Sequence, residues 1–141
     1  MKVFLGGTTN DSDWRERLIP MLEIEYFNPV VPDWTPECQA EEERQREVCD
    51  LCLYVITPRM AGFFSIAEAV DDSNKRPAKT MFCMLEKDGE LAFTPEQLYS
   101  LQAVVAMIRR NGGRTFDCLE DCAEALNIAD VMAALRKLET P

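Results

Sequence analysis

Leu51-Cys52-Leu53-Tyr54-Val55-Ile56-Thr57 decides the fold. It is a continuous apolar run of strand length, and such a run suits a strand covered on both faces inside a parallel sheet. On its amino side, Thr35 caps a charged helix that starts at Pro36 and runs to about Cys49. On its carboxyl side, Pro58–Gly62 is a loop and Phe64–Asn74 a helix. A second buried strand, Lys79–Leu85, follows.

The same alternation extends both ways. Lys2–Gly7 reads as a first strand, Trp14–Glu23 as a helix and Glu25–Asn28 as a short second strand closed by Pro29. Beyond the turn Lys87–Glu90, Thr94 caps a long helix through Arg110 that stops at Gly112-Gly113. Arg114–Asp117 gives a short fifth strand, and Leu119 onward is helical with a break expected near Asn127. Strands alternating with helices predict an α/β three-layer sandwich with right-handed crossovers. Five strands suggest the flavodoxin-like parallel sheet of order 2-1-3-4-5, whose ligands bind beyond the carboxyl ends of strands 1 and 3. The 141 residues are expected to form one domain.

Composition limits the chemistry. With 15 basic and 25 acidic residues the formal charge is −10, which argues against nucleic-acid polymers and anionic membranes as partners. The apolar runs are too short to span a bilayer. Met1–Gly7 is too short in apolar residues for a signal peptide, so the expected location is cytoplasmic. There is no histidine, which removes Ser-His-Asp and Cys-His catalysis and histidine metal sites. Six cysteines are scattered along the chain. Cys49-Asp50-Leu51-Cys52 is formally C-x-x-C, but it precedes a strand instead of opening a helix. Pairing it with Cys118 and Cys122 would make a four-sulfur zinc site, but the loose spacing favours free, mostly buried thiols. No metal or cofactor is expected.

Two loops should face each other at the switch point. Gly6-Gly7-Thr8-Thr9-Asn10 lets the backbone approach a ligand closely, yet it is neither a dinucleotide fingerprint nor a P-loop, and a tight polar turn explains it equally. Gly62-Phe63-Phe64-Ser65-Ile66-Ala67-Glu68 opens the following helix. Ser65-x-x-Glu68 fits a capping box, the reading the pattern alone favours; the alternative is that Glu68 in the first turn is a partly desolvated nucleophile toward a sugar carbon. Asn28, Asp33 and Trp34 lie near the same sheet edge, and Trp34 could stack on a planar ring or pack at the rim. Asp50 precedes strand 3 and belongs to the opposite end. The cations Lys75, Arg76, Lys79, Arg109, Arg110 and Arg114 read as helix-end charges.

Val3-Phe4-Leu5-Gly6-Gly7-Thr8-Thr9-Asn10, Trp14-Arg15, Phe27-Asn28-Pro29, Asp33-Trp34, Cys49-Asp50 and Gly62-Phe63-Phe64-Ser65-Ile66-Ala67-Glu68-Ala69 together resemble the nucleoside 2-deoxyribosyltransferase-like family, over roughly residues 2–86. The resemblance implies cleavage or exchange of an N-glycosidic bond of a nucleoside or nucleotide. It places the nucleophile at Glu68, with Asp33 the candidate proton donor to the leaving base. The loops at the sheet edge put Gly6, Gly7, Thr8, Thr9, Asn10, Asn28, Trp34, Gly62 and Ser65 around the substrate, and the resemblance implies a homo-oligomer. A hydrolase on the same scaffold and a non-catalytic nucleotide-binding module are the alternatives. Two positions depart from the family pattern: Phe4 stands where a strand-1 tyrosine orients the nucleophile, and Gly62 where an aspartate precedes it.

Overall fold

The computed structural model describes residues 1–9 and 11–139. Five parallel strands form one sheet: β1 (Lys2–Gly7), β2 (Glu25–Phe27), β3 (Leu51–Ile56), β4 (Thr80–Met84) and β7 (Arg114–Phe116). Their order across the sheet is β2-β1-β3-β4-β7, the flavodoxin-like order with β7 as the fifth strand. Every residue of β3 is buried, because β1 and β4 flank it and helices cover both faces.

Alternating side chains divide the core into two layers. Val3, Leu5, Leu53, Val55, Met81 and Cys83 face one side, packed by Trp14 and Leu18 of α1 (Trp14–Leu18) and by Cys122 and Leu126 of α5 (Leu119–Glu139). Phe4, Cys52, Tyr54, Ile56 and Phe82 face the other. There they meet Ala69 of α3 (Phe64–Lys75), Leu101 and Ile108 of α4 (Pro95–Arg110), and Cys49 at the end of α2 (Pro36–Val48). Leu98, Val104 and Val105 of α4 also pack on this layer, so the apolar face of that helix serves the core.

The helix starts follow the capping chemistry. Thr35 accepts from the Cys38 N–H, and Thr94 forms a full capping box with Gln97. Three expectations change. The first helix ends at Leu18, and Pro20, which lacks an N–H, sits in a 3₁₀ turn over Ile19–Met21. Lys87–Glu90 is part of a small hairpin, β5 (Lys87–Asp88) with β6 (Leu91–Ala92), turned through Gly89 at φ +62°. No break occurs at Asn127. Its side chain points outward, accepting from the Glu23 N–H at 2.8 Å and donating to the Met21 carbonyl at 2.9 Å, so it does not compete for the helix backbone. The favoured reading of the cysteines holds: Cys49 and Cys52 lie in one core layer and Cys122 in the other, on opposite faces of the sheet, which excludes the four-sulfur grouping. All six cysteines are free.

Candidate active site

The loop after β1 is fixed by its own backbone. Gly7 adopts φ +118°, and a Cβ there would lie 2.0 Å from the Val55 carbonyl oxygen, so only glycine lets the chain cross β3 this closely. The Thr8 N–H then donates to that same carbonyl at 2.9 Å, and Thr8 Oγ1 accepts from the Thr57 N–H at 3.0 Å. Trp14 Nε1 donates to the Thr8 carbonyl at 2.7 Å. Arg15, 4% exposed, donates to the Thr8 carbonyl and twice to the Leu5 carbonyl. Burial lowers its pKa to about 10, against the acidic pull of Glu16 and Glu42. The guanidinium also lies over the Trp14 ring at 4.2 Å.

These contacts shape a cleft of about 500 Å³ at the carboxyl end of the sheet, between β1 and β3. Gly6, Gly7, Thr9, Trp34, Ser65 and Glu68 all line it, as the switch-point rule predicts. A contiguous recess of about 210 Å³ adds Thr8 and Gly62. Asn28 and Asp33 line neither space. Asn28 Oδ1 accepts from the Val30 N–H at 3.1 Å, an Asx turn that shapes the loop, and Asp33 is exposed. Asn10 lies outside the described residues. Asp50 accepts from the Lys2 N–H at 2.7 Å, at the amino end of the sheet.

The capping box at α3 does not form. Phe63 occupies the cap position without a side-chain bond, and Ser65 lies inside the helix. Its Glu68 partner turns instead toward α2. Arg46 Nη1 meets Glu68 Oε1 at 3.2 Å, with side chains only 11% and 13% exposed. Arg46 is itself held: Nη2 lies 2.9 Å from Asp72 Oδ1, and Nε donates to the Tyr54 hydroxyl at 2.9 Å. The Tyr54 hydroxyl donates to Asp72 Oδ2 at 2.5 Å, and Arg76 also bonds Asp72.

Burial raises the Glu68 pKa; Arg46 opposes the shift, while Glu42, Asp72 and Glu43 add to it. Glu42 also lines the cleft, and burial raises its pKa too, opposed by Arg15 and reinforced by Glu43. Burial would raise Asp72, but hydrogen bonds from Tyr54, Arg76 and Arg46 hold it below the ordinary aspartate range. The cleft therefore carries two carboxylates that each take up protons more readily than in water, one of them ion-paired.

Sequence reading missed Glu42, Arg46, Tyr54 and Asp72. The usable signal was helical spacing: Glu42, Gln45, Arg46 and Cys49 recur at one-turn intervals, and Gln45 and Cys49 are buried.

The chain is an α/β protein with a flavodoxin-like sheet, and a carboxylate-lined cleft opens at its switch point, where ligands of such sheets bind. Residues 1–87 match a model of the family described as nucleoside 2-deoxyribosyltransferase like, and the chain belongs to that family. No curated protein matches the chain. Among the described residues, no helix is long and apolar enough to cross a membrane.

Proposed function

We propose that this protein cleaves or exchanges the N-glycosidic bond of a 2-deoxynucleoside or its nucleotide, with Glu68 as nucleophile. The observation carrying this reading is the ion-paired Glu68 carboxylate lining the cleft opposite the glycine turn, in a family whose members act at nucleosides. A Glu68 oxygen forms a bond to C1′ as the C1′–N bond breaks and its electron pair leaves with the base. Negative charge beside C1′ stabilises the oxocarbenium character of the transition state.

The departing base needs a proton. Glu42 supplies it in this reading, in place of Asp33, because it lines the cleft and burial makes it hold a proton more readily than a free carboxylate. In the second half, an incoming base attacks C1′, its proton returns to Glu42 and Glu68 is freed. Trp34, 59% exposed at the rim, and Phe64 offer aromatic faces for the base. The backbone at Gly7 and Thr9 approaches the sugar end. None of these steps calls for a histidine, metal or cofactor.

The test is chromatographic. The protein and its Glu68→Gln variant are incubated with deoxynucleosides and their 5′-monophosphates, with and without a second free base. New nucleoside that needs the acceptor, and disappears in the variant, establishes exchange. Free base released without acceptor moves the reading to hydrolysis. Binding without turnover, unchanged in the variant, leaves a nucleotide-binding module.

A further inference from the structure

We infer that Arg46 is the positioning residue of Glu68, locked by Tyr54 and Asp72 so that one carboxylate oxygen is held and the other is left for the sugar. The inference rests on the reading of Glu68 as nucleophile and adds how this chain orients and ionises it.

Geometry carries the argument. Arg46 grips Glu68 at two points, its carboxylate Oε1 at 3.2 Å and its main-chain carbonyl at 3.5 Å. Two contacts from one rigid guanidinium fix the side chain relative to its own backbone, which one flexible ammonium cannot do. Among the described residues, Arg46 is the donor that bonds the Glu68 carboxylate, and it bonds Oε1 alone. Phe4, a β1 residue lining the cleft, has no side-chain hydrogen-bond donor to contribute; it stacks on Phe27 and packs against Tyr54. The hydroxyl on this face belongs instead to Tyr54 of β3, paired in register with Gly6. It accepts from Arg46 Nε and donates to Asp72, so it orients the arginine and not the glutamate directly.

Charge points the same way. Glu68 is faced by Arg46, Glu42 and Glu43 from α2 and by Asp72 from its own helix; Arg46 is the cation in that set, and burial adds to the cost of the carboxylate's charge. Asp72 is 1% exposed and keeps Arg46 in place, with Arg76 sharing its charge. Removing the guanidinium therefore takes away both the orientation and the counter-charge.

The experiment follows the Glu68 carboxyl by ¹³C titration in the full chain, with the resonance assigned by its loss in Glu68→Gln. The variants are Arg46→Met, Arg46→Lys and Tyr54→Phe, each checked for native circular dichroism. Arg46→Met is expected to raise the Glu68 midpoint by about one pH unit and to move the acid limb of kcat/KM equally. Arg46→Lys keeps the midpoint near that of the parent but loses about 10-fold in kcat, with KM little changed, because charge survives and the fork does not. Tyr54→Phe lowers kcat in the same sense. An unmoved midpoint in folded Arg46→Met overturns the inference. Should that variant not fold, undiminished kcat in Arg46→Lys overturns it. A Glu68→Gln variant that keeps turnover removes the nucleophile reading itself. Loss of turnover in Glu68→Gln beside an unshifted Arg46→Met limb overturns this inference alone.

Discussion

Gly7 lies against Val55 more closely than any other residue type permits: a Cβ would come within 2.0 Å of the Val55 carbonyl oxygen and 2.6 Å of its nitrogen. The contact joins β1 to β3 at the point where the cleft opens. It is a backbone clash, so no rotamer relieves it, and φ +118° adds strain.

Gly7→Ala is therefore expected to destabilise by at least ~3 kcal/mol or to prevent folding. Gly62→Ala is the control. Nothing lies within 4 Å of its added Cβ, and its cost is expected within ~0.5 kcal/mol. Urea unfolding of both variants checks the pair. An aspartate at position 62 is sterically admissible for the same reason, so Gly62→Asp should fold and report through KM on sugar binding.

Glu68→Gln should lower kcat by ~10³-fold or more while the fold survives, since the amide keeps the shape and loses the nucleophile. Glu42→Gln should cost ~10²-fold, with the loss greatest for poorly leaving bases and smallest for activated ones. Steady-state kinetics over a series of bases separates the two. An equal loss across the series would remove Glu42 as the acid.

Asp72 and Glu68 should act on stability with opposite signs. The Asp72 pKa is depressed when folded, so its contribution is present above the ordinary aspartate value and is lost as pH falls through the folded value. Asp72→Asn should cost ~3–5 kcal/mol at pH 7, because Arg46 and Arg76 lose a buried partner, and the gap should close in acid. The Glu68 pKa is raised when folded. Its contribution is present below the ordinary 4.5 and is lost as pH rises through the folded value. Glu68→Gln should thus be at least as stable as the parent at pH 7. Thermal melts from pH 3 to pH 8 test both slopes.

Thiol reactivity should follow burial. Cys52 is pushed up to about 12 by its apolar surroundings, and burial also raises Cys49. Cys49, Cys52, Cys83 and Cys122 are buried, whereas Cys38 and Cys118 are partly exposed. Alkylation of the native protein at pH 8 should modify Cys38 and Cys118 alone, and all six after unfolding, as mass spectrometry would count.

The strand order was legible because β3 and β4 are apolar on both faces, a pattern that suits a covered parallel sheet, and they alternate with helices along the chain. Order and topology then placed Gly6, Gly7, Thr9, Ser65 and Glu68 in one cleft, since the switch point follows from connectivity. The partners of Glu68 were hidden for a physical reason. The helix from Pro36 reads only as strongly charged, and sequence does not show that its Arg46 folds inward onto Asp72. Asn28 and Asp33 sat close in sequence to a cleft residue, Trp34, but loop geometry sends them elsewhere. Ser65-x-x-Glu68 had the capping pattern, yet the ion pair across to α2 took the glutamate.

Every residue lining the cleft and its recess falls between Phe4 and Glu68, whereas β4, β7, α4 and α5 come later. During synthesis the cleft-lining residues leave the ribosome before the segments that bury the far half of the sheet. Until Arg114–Phe116 pairs with β4, a growing chain presents Met81, Phe82 and Cys83 as an open apolar edge. The lining of the cleft is thus encoded early, and the segments that complete the sheet beneath it are encoded late.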